Sequence, residues 1–265
     1  MTLLVNQLHI DLHQGNHFWI AAADQLLTTK KGFHAIKTKI FAVKRLNCSI
    51  SYFGLASFRR SSNSKEFFIG NIIESFISKD STSQTIGQFA ANIRNYLITA
   101  IPAAVLSQSH SGFHICGFES NGLPVLYHFS NITGMNGIYY GPPSQTYNNL
   151  TEDFAGRDAA QFGFNPTNMT FTRGGIQEYR NGDLSIHVHL ARDLLSTMSS
   201  IQQYSNYISL SGPYQFASLI ELLYKIISNI QKRWAKTQLI GGKSTIMIIK
   251  KTGVELKRHG KWHGI

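Results

Sequence analysis

The sequence predicts an α+β domain built from layered antiparallel sheets and helices. Three observations predict it. Apolar runs of strand length occur in pairs joined by short polar turns. Stretches with helical spacing follow them and recur near the end. Strands and helices also fall in separate blocks, which argues against the alternating βαβ order of a dinucleotide-binding fold. Of 265 residues, 43% are hydrophobic and 15% charged. Such a chain can bury a sizeable core, unlike a disordered, charge-rich one.

The elements follow in order. Thr2–Ile10 is a mixed apolar run without helical period, and Asp11–His17 is a polar turn. Phe18–Ala23 is continuously apolar and ends at Asp24. Lys37–Val43 and Ser49–Leu55 repeat the pattern around Lys44–Asn47, so the first 58 residues read as a four-stranded meander. Phe68, Ile69, Ile72, Ile73 and Phe76 mark one face of a helix over Phe67–Ile77. Ser83 or Thr85 can cap a second helix, Ile86–Leu106, which Pro102 should kink or end. Gly112–Phe118 and Pro124–Phe129 read as a hairpin turning at Asn121-Gly122, with a short strand at Ile138–Tyr140. Glycine, asparagine and threonine are frequent over Asp153–Asn181, and Leu190–Ile201 is helical in pattern. A long helix spans Tyr214–Ala235, and a last hairpin pairs Thr245–Lys250 with Val254–Lys257. One domain over residues 1–265 is expected, with a loose basic tail at about 258–265.

Composition narrows the function classes. No apolar run reaches the ~18–20 residues of a membrane-spanning helix. Met1–Ile10 lacks the basic and apolar regions of a secretory signal. Cys48 and Cys116 sit in apolar runs and read as buried thiols, which fits a reducing, cytoplasmic compartment. The formal charge of +11 admits a nucleic-acid reading. However, the basic residues fall at Lys30–Arg45, Arg59–Arg60, Lys232–Lys236 and Lys250–Lys261, and the tail offers one aromatic rather than a stacking platform, so a solvated basic surface is preferred.

Local sequences sharpen the picture. Phe18-Trp19-Ile20-Ala21-Ala22-Ala23-Asp24 followed by Thr28, the lysine-bearing run Lys39–Val43, and Ser51–Ala56 with Gly54 occur in that order. His114–Phe118, Leu123–Tyr127 and Ile240-Gly241-Gly242 with the apolar run after it continue the series. This collinear set resembles the proteasome β-type subunits and their bacterial relatives among the amino-terminal-nucleophile (Ntn) hydrolases, over roughly 190 residues. The resemblance implies a four-layer αββα sandwich, with a family-divergent insertion at about 153–201. It also implies threonine-type hydrolysis of a peptide or small amide. Removal of Met1, expected before a small residue, would leave Thr2 as the nucleophile. Its α-amino group, with a pKa near ~8, would serve as base. Asp24 and Lys39 would support it, with Gly54 and Thr28 on the oxyanion and substrate side. A homo-oligomer, possibly a ring, is implied, with no metal or organic cofactor.

The chain departs from that pattern. Pro142 and Ser144 stand where a supporting Gly-Ser-Gly turn is expected, so Ser144 is the displaced candidate for the supporting hydroxyl. Thr237 and Ile240 replace a supporting aspartate and serine. A catalytically silent assembly or binding subunit is therefore the alternative. Other constellations carry less. Gly241-Gly242-Lys243-Ser244 ends like a phosphate-binding loop but has Thr237 where the first glycine belongs, and strand and helix are reversed. His187 and His189 could share a strand face and, with Asp183 or Asp193, bind zinc; surface or structural histidines are the preferred reading. No Gly-x-Ser-x-Gly elbow supports a serine triad at Ser144.

Overall fold

The computed structural model describes residues 2–12, 15–28, 34–61, 63–136, 139–182, 186–201, 210–258 and 261–265. The first two apolar runs pair as expected. Leu3–Ile10 and Phe18–Asp24 form an antiparallel hairpin, with Leu4 opposite Ala23 and His9 opposite Phe18. All seven residues of the second strand are buried because both its faces are covered. Trp19, Ala21 and Ala23 face a second sheet, while Phe18, Ile20 and Ala22 face a helix.

The four-stranded meander does not form. Ile40–Val43 and Cys48–Gly54 pair with each other, but in the other sheet. A small hairpin, Leu26–Thr28 with His34–Ile36, lies between the two pairs in sequence. Apolar continuity reports burial on both faces and does not name a strand's partner, so strands of two sheets look alike in sequence. The six-stranded sheet runs Gly175–Gly182, Leu3–Ile10, Phe18–Asp24, Ser244–Lys250, Gly253–Arg258, Lys261–Gly264. The five-stranded sheet runs Thr151–Glu152, Pro124–Ser130, Ser111–Phe118, Cys48–Gly54, Ile40–Val43. All these pairings are antiparallel.

Helices cover the two outer faces, giving the αββα order. Ile69–Lys79 and Ile86–Ala100 pack Ile73, Phe89, Ile93 and Leu97 against Ile50, Phe113 and Ile115 of the five-stranded sheet. Thr85 is the cap, its Oγ1 accepting from Gln88 N–H at 3.1 Å, and Pro102 separates a further short turn, Ala103–Leu106. The long helix Pro213–Trp234 packs Ala217, Ile220, Tyr224 and Ile227 on the six-stranded sheet. Between the sheets, Trp19 Nε1 donates to Gly117 O at 3.0 Å and bonds one sheet to the other.

Within 153–201, Gly175–Gly182 forms an edge strand of the six-stranded sheet, and Phe154, Phe162 and Phe171 join the core between the sheets. That strand, GIQEYRNG, is polar because one of its sides is an exposed edge, which hides it from a hydrophobic pattern. In the basic tail, Lys261–Gly264 adds an edge strand, with Trp262 opposite Lys257 and its ring tilted against Tyr214 at 5.5 Å.

His9 gives the fold a pH signature. It is sandwiched between Phe18 and Phe216, and burial lowers its pKa to about 3. A depressed folded-state pKa means stability is full above the unfolded value of ~6.5 and is lost as pH falls toward 3. Between these two values the loss approaches ~1.4 kcal/mol per pH unit. Urea denaturation at pH 7.5 and 5 should show the decline, and His9→Leu should make it shallower.

Candidate active site

Asp24 ends the second strand, at the point where the chain leaves the sheet. Its carboxylate accepts from four groups. Leu3 N–H lies 3.0 Å away, Leu26 N–H 3.1 Å and Gly241 N–H 3.4 Å. Lys39 Nζ is 3.2 Å from both carboxylate oxygens. Lys39 immediately precedes the edge strand of the other sheet and also donates to Leu26 O at 2.6 Å. The pair is therefore a charged tie between the two sheets. Both are almost fully buried: Lys39 is 0% exposed and Asp24 2%. Burial raises the carboxyl above its ordinary range and lowers the ammonium below its own, each opposed by attraction to the other.

Thr2 is drawn into this array by its backbone. The N–H that Asp24 accepts belongs to the Thr2–Leu3 peptide unit. Thr2 itself is buried, and its carbonyl lies against Gly182, leaving no room there for a Cβ. Gly182 has φ +101°, a second reason for glycine at that place. Its N–H donates to the Tyr140 hydroxyl at 2.6 Å. Tyr140 also meets Asn181 Oδ1 at 3.2 Å and stacks on Phe53 at 5.9 Å. Asn181 continues to His114 Nε2 at 2.6 Å, and His114 Nδ1 to Asn6 at 2.8 Å. Burial, with His128 alongside, holds His114 well below its usual pKa, so the ring is neutral.

The other expected residues are placed differently. Gly54 ends its strand with φ +84°, packed against the His110 carbonyl, and the next N–H, Leu55, donates to that carbonyl at 2.8 Å. His110 in turn lies 5.7 Å from the Tyr140 ring, so Gly54 is linked to the Thr2 neighbourhood through these two residues. Thr28 ends the short strand Leu26–Thr28, and its side chain lies outside the described residues. Ser144 Oγ accepts from Thr146 N–H at 3.4 Å within its own loop.

Sequence reasoning missed the backbone support around Asp24. At Thr237 and Ile240 the supporting side chains are absent, yet the loop is held. Buried Gln231 accepts from Leu239 and Ile240 N–H, both at 2.7 Å, and Gly241 N–H then reaches Asp24. Tyr224 Oη lies 3.0 Å from both Leu3 O and Ala22 O, tying the long helix to the two strand ends. Tyr224 and Gln231 continue the helix's apolar stripe at i+4 and i+11 from Ile220, and that position was the available signal.

The zinc reading does not hold at its strand premise. His187 and His189 lie on the helix His187–Ile201, one buried and the other exposed; Asp183 lies outside the described residues. Among the described residues, no cluster of three or more His, Cys, Asp or Glu could hold a metal ion. Cys48 and Cys116 are free and buried. Among the described residues, no helix is long and apolar enough to cross a membrane.

Three comparisons bear on this geometry. No family model matches the sequence, and no curated protein matches it. Among solved structures, the Anbu (Gly-1) mutant from Hyphomicrobium sp. strain MC1 is similar, with TM-score 0.51 and 11% identity over 100% of this chain and 87% of that one. Another Anbu structure from that strain gives TM-score 0.48 at 11% identity, covering 99% and 87%. Anbu (ancestral beta-subunit) from Yersinia bercovieri gives 0.47 at 9%, covering 95% and 83%. The first of these supports the fold: the chain has the α+β proteasome-like Ntn architecture. The resemblance to proteasome β-type subunits is corrected accordingly. Without a matching family, the local motifs reflect a shared fold and do not establish membership.

The buried pair makes a clear energetic prediction. Removing one charge leaves the other buried and uncompensated, which costs about 3–5 kcal/mol. Asp24→Asn and Lys39→Met should each lower the urea midpoint strongly. The double variant should recover part of the loss, and a thermodynamic cycle measures the coupling.

Proposed function

We propose that the chain is a threonine-type peptide or amide hydrolase with Thr2 as nucleophile. The reading requires that the mature chain begin at Thr2. One observation carries it: a buried Lys39–Asp24 pair is hydrogen-bonded to the peptide unit that joins Thr2 to the first strand. A free Thr2 amine would take the hydroxyl proton as Oγ attacks the substrate carbonyl. Lys39, its proton affinity lowered by burial, would favour the neutral amine and stabilise negative charge forming beside it. A backbone N–H near Gly54 would receive the oxyanion. The protonated amine would return its proton to the leaving amine, giving a Thr2 acyl ester. Water would then cleave the ester and restore the hydroxyl. Free, buried cysteines support a cytoplasmic setting, and the proteasome-like fold supports assembly with further copies.

A specific observation favours a second reading, a silent assembly or binding subunit. Ser144 bonds within its own loop, Thr237 brings no carboxylate where the supporting aspartate is expected, and Ile240 brings no hydroxyl where the supporting serine is expected. A covalent test separates the two. A β-lactone or epoxyketone probe should modify Thr2 in protein that starts at Thr2, and should not modify Thr2→Ala. Lys39→Met should slow labelling by roughly 100-fold in whatever fraction remains folded. Absence of labelling on correctly processed protein supports the silent subunit.

A further inference from the structure

A cleft of roughly 540 Å³ opens on the side of Asp24 that faces the long helix. One wall is a single helix face carrying Glu221, Tyr224, Lys225 and Ser228, at i, i+3, i+4 and i+7. The opposite wall is the Gly241-Gly242-Lys243-Ser244 loop, and Lys257 enters from the neighbouring strand. The floor is formed by buried groups, among them Asp24, Ile240 and Ile246.

The charges around this cleft do not balance. Glu221 already holds two lysines, Lys257 at 2.5 Å and Lys225 at 3.2 Å. Asp24 is matched by Lys39, which lies on its far side and does not line the cleft. Lys243 adds a further cation on the exposed rim. Three lysines, Lys225, Lys243 and Lys257, thus line the cleft with two carboxylates, and Lys39 behind Asp24 already offsets one of these, so the surroundings carry an excess of positive charge. The hydroxyls of Ser228 and Ser244 offer donors beside them. From this we infer that the cleft is a binding site for a small multivalent anion, a phosphate ester or a polycarboxylate. A positively charged concavity with low-dielectric walls concentrates such ligands. The chemistry is that of lysine point charges around a loop, without the strand–loop–helix order of a nucleotide-binding P-loop. The site also adjoins the reactive array, since Gly241 donates to the Asp24 carboxylate from the same loop.

The test is calorimetric titration of the full chain with pyrophosphate and, separately, citrate, in about 0.1 M salt, where charges beyond ~10 Å are screened. One saturable site per chain is expected for at least one of the two anions. Pyrophosphate alone would assign the ligand as a phosphate ester, and citrate alone as a polycarboxylate. Lys243→Glu, on an exposed rim, should weaken binding at least tenfold. Lys65→Glu makes the same charge change at an exposed position outside the cleft and should leave affinity within about twofold. Amide NMR shifts on titration should centre on Gly241 and Gly242. No saturable binding of either anion, or equal losses in the two variants, would overturn the proposal. Both readouts are independent of any hydrolytic activity.

Discussion

Asp24 and Lys39 are charged side chains held almost entirely out of water. Taking each out of water costs several kcal/mol, and only close pairing with further hydrogen bonds offsets that cost. The protein supplies both. The carboxylate collects backbone donors from the first strand, from the bend after the second, and from the loop that follows the long helix. The ammonium adds the Leu26 carbonyl. Four segments that are remote in sequence are thereby fixed at one point. An apolar pair of similar volume would pack as well or better. The charge of the pair is the feature on which the proposed role of Thr2 rests.

The surrounding architecture follows from this point. The two sheets meet there because Asp24 belongs to one and Lys39 leads into the other. Tyr224 reaches from the long helix to the carbonyls of Leu3 and Ala22, so the helical layer is registered on the same strand ends. On the opposite side, the chain Asn6–His114–Asn181–Tyr140 runs between the sheets and ends at Gly182, against the Thr2 carbonyl. Buried polar groups on both sides of Thr2 are thus paired, and the strand start is held on each face.

Part of this was legible in the sequence. Phe18–Asp24 announces itself because a strand buried on both faces must be apolar throughout, and Asp24 is conspicuous as the charge that ends it. Helical faces at Phe89, Ile93 and Leu97 follow from their spacing alone. Strand partners were not legible: Ile40–Val43 reads like a neighbour of Phe18–Asp24 but lies in the other sheet. The edge strand Gly175–Gly182 was missed because its exposed side is polar. At the site, Thr2, Asp24 and Lys39 were visible only through a resemblance of motifs. The Gly241 N–H was invisible to it, because a backbone donor has no sequence signature, and Gln231 was marked only by its place on the apolar stripe of its helix.

The proposed function requires that this buried pair serve a free amino-terminal threonine. Intact mass of the protein purified from the cells that make it addresses this directly. The expected result is a mature chain whose first residue is Thr2. Retention of Met1, or of any residue ahead of Thr2, would leave no free amine beside Lys39 and would contradict it.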